Sequence, residues 1–247
     1  MKKIVSLILA GLICTGLASC GKSGADYVIY SDNSFAPFEF LDNSTGKYIG
    51  VDMDILAAIA EDQGFTYEIK NEGFDASMGA VQSGQADGMI AGMTINDKRR
   101  ETFDFSDGYF EDGQILVTTA DSEINSLEDL KGKKIAAKTS TMGAEYAKEQ
   151  SEKIGFTVEY FEDSSTMYTS VLNKTHDACF EDFSVIGWAI KNEGLALKTV
   201  GDVVAPGYYG FAVKKGQNAE LIEKFNAGLK DIKESGKYEE ILAKYGY

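Results

Sequence analysis

The segments GFTYE (64–68) and GFTVE (155–159) begin two stretches of similar pattern that lie about ninety residues apart. Each is followed by a helical pattern and then by a strand pattern, which begins ADGM (86–89) in the first stretch and HDAC (176–179) in the second. A strand, a helix and a second strand in this order form a parallel β-α-β unit. The pair predicts two lobes of like design, and two repeats are too few for a solenoid. Chance similarity between α/β segments is the alternative.

Strand and helix patterns also alternate elsewhere in the chain. Apolar residues recur at helical spacing in 51–63, and Gly64 is placed to end that helix. The other segments are a strand at 27–31, an alternating half-buried strand at 65–69, and a helix that the capping-box pattern SLED (126–129) begins and Gly132 ends. Regular alternation of the two element types predicts an α/β fold with mainly parallel sheets.

Residues 1–19 have the pattern of a signal peptide and are not expected to belong to the fold. Two lysines precede an apolar stretch, 4–19, that is short for a membrane span and ends in small residues. LASC (17–20) resembles a lipobox, the bacterial signal that is cleaved just before its cysteine. Cys20 would then begin the mature chain and carry a lipid, and 20–26 would form the lipidated end and a flexible tether. An ordinary signal peptide with an incidental cysteine is the alternative.

The chain is acidic. Its 24 Lys and Arg side chains against 39 Asp and Glu give a net charge of −15, and loss of the two lysines of the leader would leave −17. Such a surface repels nucleic acid and anionic lipid head groups, so no nucleic-acid partner is expected. No second apolar stretch is long enough to span a membrane, so the lipid on Cys20 would be the sole anchor.

Cysteine and histidine are too few for several kinds of site. Cys14 would leave with the signal peptide and Cys20 would be acylated, so Cys179 alone remains and no internal disulfide can form. The single histidine, His176, excludes a His-based metal site or a catalytic triad, and we predict no metal and no cofactor. His176 is expected at the surface just before a strand, and Cys179 and Trp188 are expected in the core.

The residues that follow the predicted strands are candidates for a binding site, because ligands of open α/β sheets bind beyond the carboxyl ends of parallel strands. Two lobes would supply two such sets facing one cleft. The sets are Ser31 to Phe35, Ala91 to Thr94 followed by Arg99, Lys138 to Thr141 at the start of a helix, and Glu181 with Asp182.

These candidates include groups that complement a zwitterion. Arg99 has a planar guanidinium that suits a carboxylate, and the turn at 141–143 has free backbone N–H groups at a helix N-terminus, which also favour an anion. Asp182 has a carboxylate for an ammonium group, aided by the Thr94 hydroxyl and by carbonyls near Ala91. Taken alone, Arg99 lies in a charged run where most arginines are solvated, and Asp182 could cap the helix that follows it.

Two aromatic residues offer flat apolar walls for the side chain of a ligand. They are Phe35 and Phe74. A place in the core is the alternative for both, since aromatic side chains are usually core residues.

Three longer segments are similar to a known family: FAPFEF (35–40), GVDMDILAAIA (50–60) and AGMTINDKRRETFDFSDGYF (91–110). From Tyr27 to Tyr245 the chain resembles the polar amino-acid-binding proteins of ABC transporters, which are extracellular solute-binding proteins of family 3, and most closely the glutamine-binding proteins. The last segment is long and specific.

The resemblance implies an α/β, two-lobed, periplasmic-binding-protein-like (type II) fold with two hinge crossings. We place the crossings near Phe110 to Thr118 and near Tyr208 to Val213. Lobe 1 would then comprise residues 27–112 plus 208–247, and lobe 2 residues 113–207.

The resemblance also implies roles for individual residues. Arg99 and the backbone at Thr94 would bind the α-carboxylate of an amino acid, and Asp182 the α-ammonium. Phe35 and Phe74 would sandwich the ligand side chain. Asp32 and Lys138 match positions that contact or support the side-chain amide in glutamine binders, unless they pair with each other. The complete predicted set is Asp32, Phe35, Phe74, Ala91, Gly92, Thr94, Arg99, Lys138, Thr141, Met142, Glu181 and Asp182.

Two residues depart from the pattern of the glutamine binders. Met142 stands where a glycine is usual, and Glu181 stands where those proteins have a histidine. Asp32 and Glu181 together would favour a cationic side chain, whereas Lys138 would oppose one. Glutamine is favoured as the ligand, and arginine, histidine, cystine and an acidic amino acid stay open.

The predicted function is that of a lipid-anchored substrate-binding protein, expected to be a monomer, on the extracytoplasmic face of the bacterial cell membrane. Its partners would be a free L-amino acid, an ABC permease and, through it, an ATPase. A sensing role in a signalling system is one alternative. An enzyme similar to the cyclohexadienyl dehydratases is another, and it would need Glu181 as an acid or base over the ligand ring.

Overall fold

The computed structural model describes residues 24–247. The predicted signal peptide (1–19) and the predicted lipidation site, Cys20, lie outside the described residues. Within 24–247, no helix combines the length and the apolar character that a membrane crossing requires.

Strands and helices alternate along the chain as predicted. The strands are β1 (Tyr27–Asp32), β2 (Ser34–Phe35), β3 (Glu39–Asp42), β4 (Lys47–Ile49), β5 (Tyr67–Glu72), β6 (Gly88–Met89), β7 (Phe103–Phe105), β8 (Phe110–Thr119), β9 (Lys134–Lys138), β10 (Thr157–Phe161), β11 (Ala178–Asp182), β12 (Leu197–Tyr209) and β13 (Ala212–Lys214). The helices are α1 (Val51–Gln63), α2 (Phe74–Ser83), α3 (Asp97–Arg100), α4 (Met142–Ile154), α5 (Ser164–Leu172), α6 (Phe183–Trp188), α7 (Ala219–Glu234) and α8 (Lys237–Tyr245).

Two five-stranded sheets form the centres of two lobes. The sheet of lobe 1 has the order β5-β1-β6-β13-β7, and the sheet of lobe 2 has the order β10-β9-β11-β8-β12. In each sheet the first three strands are parallel and the fourth and fifth are joined through antiparallel pairs. A small hairpin sheet of β2, β3 and β4 extends lobe 1.

The two lobes repeat one another in detail. In lobe 1 the Asp87 carboxylate accepts from the Val28 backbone N–H (2.8 Å), and the Asp87 N–H donates to the Val28 carbonyl (2.8 Å). In lobe 2 Asp177 and Lys134 make the same two contacts, at 2.8 Å each. Both aspartates stand just before the third strand of their sheet, at the positions that ADGM and HDAC share. The predicted internal repeat is therefore confirmed.

Each sheet packs helices on both faces. In lobe 1, α1, α7 and α8 bury apolar residues such as Ile55 and Phe225 on one face, and α2 buries Val81 on the other. In lobe 2, α4 packs Ala147 on one face, and α5 packs Met167 on the other. Each lobe thus has its own sheet packed between helices, which is the basis for movement of one lobe against the other.

Two adjacent strands connect the lobes. Phe110, at the start of β8, pairs with Tyr209, at the end of β12, and the ladder continues from Glu111 to Tyr208. This arrangement agrees with the fold class predicted from the sequence, including its two hinge crossings. The exact lobe boundaries, near 112 and 208, stay a prediction.

Two sequence-based assignments of local structure were wrong. The strand predicted at 65–69 is Tyr67–Glu72, and its residues do not alternate between buried and exposed. The helix predicted from SLED is a single 3₁₀ turn, Glu128–Leu130. Ser126 does not cap it; instead the Asp129 carboxylate accepts from the backbone N–H of Ser126 at 3.0 Å and of Asn125 at 2.9 Å, which completes only half of a capping box.

Two predictions about exposure were also wrong. His176 is buried, because its ring packs edge-on against Phe161 at 5.3 Å and its Nε2 lies 3.0 Å from the Glu159 carboxylate. Trp188 is only partly buried and lies 5.4 Å from the Phe40 ring of lobe 1, so it belongs to the contact between the lobes. Cys179 is buried in the core as predicted.

Candidate functional site

A small polar cavity lies between the lobes, near the carboxyl ends of β1, β9 and β11. Its volume is about 10 Å³, the space of a single water molecule, because the side chains of the two lobes close almost completely on one another. The residues that line it are Asp32, Phe35, Phe74, Ala91, Gly92, Thr94, Arg99, Lys138, Thr141, Met142 and Asp182. Glu181 is the one residue of the predicted set that does not line this cavity.

Arg99 forms the positive end of the cavity on lobe 1. It ends the first turn of α3, where the Asn96 side chain accepts its backbone N–H at 2.7 Å. Its guanidinium donates to the Thr94 carbonyl at 2.7 Å and, across the cleft, to the Ser140 carbonyl at 2.9 Å. It also lies 5.4 Å over the Phe74 ring. Burial lowers the pKa of Arg99 to about 10, so the group is still a cation at neutral pH.

Asp182 forms the negative end on lobe 2. It ends β11 and stands before α6, but its side chain does not cap that helix. Instead, its carboxylate accepts from the Gln114 amide at 2.8 Å. Burial, followed by the nearby Glu181 and Asp112, raises the pKa of the Asp182 carboxyl well above its usual range. Because its surroundings disfavour a negative charge, the ionised Asp182 carboxylate is stabilised when a cation binds beside it.

Gln114 is a site residue that the sequence reasoning missed. It pairs directly with Asp182 in the β8–β11 ladder, and its side chain orients the Asp182 carboxylate. Gln114 lies on β8, one of the two strands that connect the lobes. Its contact with Asp182 depends on the antiparallel pairing of β8 with β11, which no local sequence pattern predicts.

A buried ion pair closes the third side of the cavity. Lys138 of lobe 2 donates to the Asp32 carboxylate of lobe 1, and both side chains are almost fully buried. The Lys138 ammonium also lies 4.8 Å over the Phe35 ring and 5.9 Å over the Phe74 ring. Asp32 and Lys138 thus pair with each other, which was the alternative to contact with a ligand, and they do so at the cavity wall.

The N-terminus of α4 faces the same space. Thr141 caps the helix, since its hydroxyl accepts from the Ala144 N–H at 3.2 Å. Met142 follows, and its sulfur lies 3.0 Å from the Asn96 amide of lobe 1. In the position where a glycine was expected, the methionine side chain thus reaches across the cleft to lobe 1.

The lobes touch on several sides of the cavity. Lys98 of lobe 1 lies 2.5 Å from Glu145 of lobe 2, and the Ser34 and Ser165 hydroxyls are 3.1 Å apart. The Ser140 hydroxyl also donates to the Asp75 carboxylate at 2.5 Å. Together with the Arg99 and Lys138 contacts, these show a closed arrangement of the lobes.

A pair of buried acids lies directly behind the cavity wall. Asp52, at the start of α1, accepts from the Gly92 backbone N–H at 2.8 Å and from the Tyr109 hydroxyl at 2.7 Å. Glu39 is buried beside it, and neither oxygen of the Glu39 carboxyl has a hydrogen-bond partner among the described residues. Burial raises the pKa of Asp52 to about 6. Burial, followed by the nearby Asp52 and Asp32 carboxyls, raises the pKa of Glu39 well above its usual range. Through its contact with the Gly92 N–H, Asp52 fixes the loop that carries Gly92.

Replacing Asp52 with asparagine should change how stability depends on pH. The pKa of Asp52 is about 6 in the fold and about 3.9 in an unfolded chain, so protonation favours the folded state. This contribution is complete below about pH 4 and is lost as the pH rises through about 6. Asp52→Asn should therefore have a higher free energy of unfolding than the wild type, by on the order of 3 kcal/mol at pH 7 and by little at pH 4.

Denaturant unfolding at both pH values tests this, with the exposed Asp62→Asn as a control of equal charge change. The same difference between Asp52→Asn and wild type at pH 4 and pH 7 would contradict the assignment.

Two similar α/β lobes, joined by paired strands and closed on a polar cavity, define a two-lobed solute-binding protein. Comparison with known proteins agrees: the sequence model of the bacterial extracellular solute-binding proteins, family 3, matches residues 27–247. The chain belongs to this family, and the resemblance noted in its sequence is confirmed.

Three similar proteins illustrate the range of the family. The "Probable histidine-binding protein" of Neisseria gonorrhoeae is 32% identical over 96% of this chain and 94% of its own. An ancestral arginine-binding protein bound to glutamine is 36% identical, with a TM-score of 0.82 over 89% of this chain and 97% of its own. The GlnP substrate binding domain 2 of Lactococcus lactis, in an open conformation, is 43% identical, but its TM-score is only 0.62, over 89% of this chain and 94% of its own.

The two solved structures rank in opposite order by sequence identity and by TM-score. The protein that is more similar in sequence is open and superposes less well, and the ligand-bound protein superposes better. This is the result expected when two rigid lobes differ in their relative orientation, and it agrees with the closed arrangement of the present structure.

Proposed function

We propose that this protein is the extracytoplasmic substrate-binding lipoprotein of an amino-acid ABC importer. It binds a polar L-amino acid, with glutamine favoured, between its two lobes. The observation on which this rests is that Arg99 and Asp182 line the same small cavity from opposite lobes.

The two charged residues match the two poles of a free amino acid. The Arg99 guanidinium is the partner for the α-carboxylate, and the acidic surroundings of Asp182 are relieved by an α-ammonium. Burial of either pole without its partner is costly, so the ligand binds only when both lobes contribute. Ligand binding therefore favours the closed arrangement of the lobes.

The Asp32–Lys138 pair favours a neutral amide at the end of the ligand side chain. An amide has both a carbonyl that can accept from Lys138 and an NH₂ that can donate to Asp32. Phe35 and Phe74 then flank the apolar part of the side chain. Ancestral arginine-binding proteins similar to this chain have been solved with glutamine bound and with arginine bound, so the preference for glutamine rests on the Asp32–Lys138 pair.

A thermal-shift screen of the twenty amino acids tests the proposal. A ligand present at a hundred times its dissociation constant should stabilise the protein by about 2.7 kcal/mol. Glutamine is expected to give the largest shift. A protein that is stabilised by no amino acid would refute the proposal, and a largest shift from arginine or histidine would correct the ligand alone.

The fluorescence of Trp188 should report binding. It is the only tryptophan of the chain, and its ring packs 5.4 Å from Phe40 of the other lobe in the closed arrangement. Addition of the ligand should shift its emission to the blue, because lobe closure removes the ring from water. Phe40→Ala should reduce the shift and keep binding, as measured by calorimetry. Identical spectra with and without saturating ligand would contradict lobe closure on binding.

Attachment to the membrane is proposed through a lipid on Cys20, and delivery of the ligand to an ABC permease and its ATPase follows. Metabolic labelling with a fatty-acid analogue tests the anchor: label is expected on the wild type and absent from Cys20→Ala.

The alternative of an enzyme loses its candidate acid, since Glu181 does not line the cavity. Incubation with prephenate or arogenate should therefore give no aromatic product.

A further inference from the structure

We propose that Glu181 determines the charge preference of the binding site without touching the ligand: its buried carboxylate selects against a ligand whose side chain is an anion. This inference rests on the proposed function, because it concerns which amino acid the same cavity accepts.

Glu181 lies behind the cavity wall. It precedes Asp182 in β11, and neighbouring side chains of a strand point to opposite faces of the sheet. Asp182 points into the cavity, whereas the Glu181 carboxylate accepts from the Tyr168 hydroxyl of α5 at 2.7 Å. Its second oxygen accepts from the backbone N–H of Asp182 at 3.0 Å. Its side chain is only 3% exposed.

The two hydrogen bonds fix a negative charge at this place. Both donors are neutral groups, so they stabilise the carboxylate without cancelling its charge. Since the carboxylate is buried, water and salt screen it far less than a surface charge. Its field therefore reaches the groups on the cavity side of the sheet.

Lys138 is the cavity residue that shows this effect most directly. Burial by itself would lower the pKa of Lys138, but Asp32, then Glu181 and then Glu39 outweigh burial and raise it. The Lys138 ammonium thus stands among several acidic groups, and Glu181 is the one that reaches it from its own lobe.

The excess negative charge has a consequence for the ligand. Were Glu181 neutral, the Asp32–Lys138 pair would have no net charge, and the end of the cavity would accept a carboxylate or an amide of the same shape. With Glu181 ionised, negative charge exceeds positive charge at this end of the cavity, which repels an anion and leaves a neutral amide unaffected.

Glutamine and glutamate form a matched pair for the test, because they share shape and differ in charge. The quantity measured is the ratio of their dissociation constants by calorimetry at pH 7. The wild type should prefer glutamine, and Glu181→Gln should narrow the preference about tenfold or more. The exposed Glu149→Gln, which removes an equal charge far from the site, should leave the ratio unchanged.

A structural role alone would give a different result. In that case Glu181→Gln would lower the melting temperature and weaken both ligands equally, and an unchanged ratio would overturn the inference. If the wild type binds arginine instead, citrulline is the neutral ligand of similar shape for comparison. Glu181→Gln should then reduce the preference for arginine over citrulline. An unchanged ratio of the arginine and citrulline dissociation constants would also overturn the inference. A wild type that binds no amino acid would refute the proposed function itself.

Discussion

Arg99→Ala is expected to weaken ligand binding by about 3–5 kcal/mol, which is about 150-fold to about 5,000-fold in the dissociation constant. Removal of the guanidinium leaves the ligand carboxylate buried with no cation to pair with it. The lost energy is therefore mainly the cost of an orphaned charge, and it exceeds the value of a hydrogen bond. Titration calorimetry with the best ligand of the amino-acid screen measures it.

Arg100→Ala is the matched control for this variant. Arg100 is the next residue of the same short helix, is exposed, and does not line the cavity. Its replacement removes the same charge and should change affinity less than tenfold. A loss of less than tenfold for Arg99→Ala as well would show that Arg99 does not bind the carboxylate.

Asp182→Asn is expected to have two effects of opposite sign. The ligand ammonium loses its charged partner, so affinity should fall by on the order of 3 kcal/mol. The empty protein should become more stable at pH 7, because burial, Glu181 and Asp112 disfavour the carboxylate at this position. A buried acid with a raised folded-state pKa stabilises the fold below the unfolded pKa, about 3.9 for aspartate. The gain in stability should therefore disappear near pH 4.

Calorimetry and thermal unfolding of the same Asp182→Asn sample separate these two effects. The ligand ammonium favours the ionised Asp182 carboxylate, so ligand binding to the wild type should release protons. The affinity of the wild type for the ligand should therefore fall as the pH is lowered. A variant that binds as tightly as the wild type would remove Asp182 from the site. A variant that loses both affinity and stability would assign it a structural role.

The sequence predicted the lobes and the cavity residues for physical reasons that operate locally. Strand ends, helix starts and the repeat around Asp87 and Asp177 depend on neighbours in the chain. Resemblance to a family then assigned roles to Arg99 and Asp182, which no pattern of residues alone could separate from a solvated arginine or a helix cap. In the structure, Arg99 and Asp182 line the same small cavity.

Features that depend on distant packing were not predictable in the same way. His176 is buried because Phe161 packs against its ring, and Trp188 lies at the contact between the lobes, where it meets Phe40, instead of in the core of one lobe. Glu181 is different, because the alternation of side chains along β11 already predicts that it and Asp182 point to opposite faces. This alternation is a local property of the sequence and needs no knowledge of distant packing.

The central claim is that the cavity binds both charged poles of a free amino acid at once. Calorimetric titration of the wild type with its best amino acid, with the α-carboxamide of that amino acid and with its N-acetyl derivative tests this directly. The free amino acid should bind, and each derivative should bind at least about a hundredfold more weakly, since each leaves one buried charge without a partner. Binding of either derivative within tenfold of the free amino acid would contradict the account.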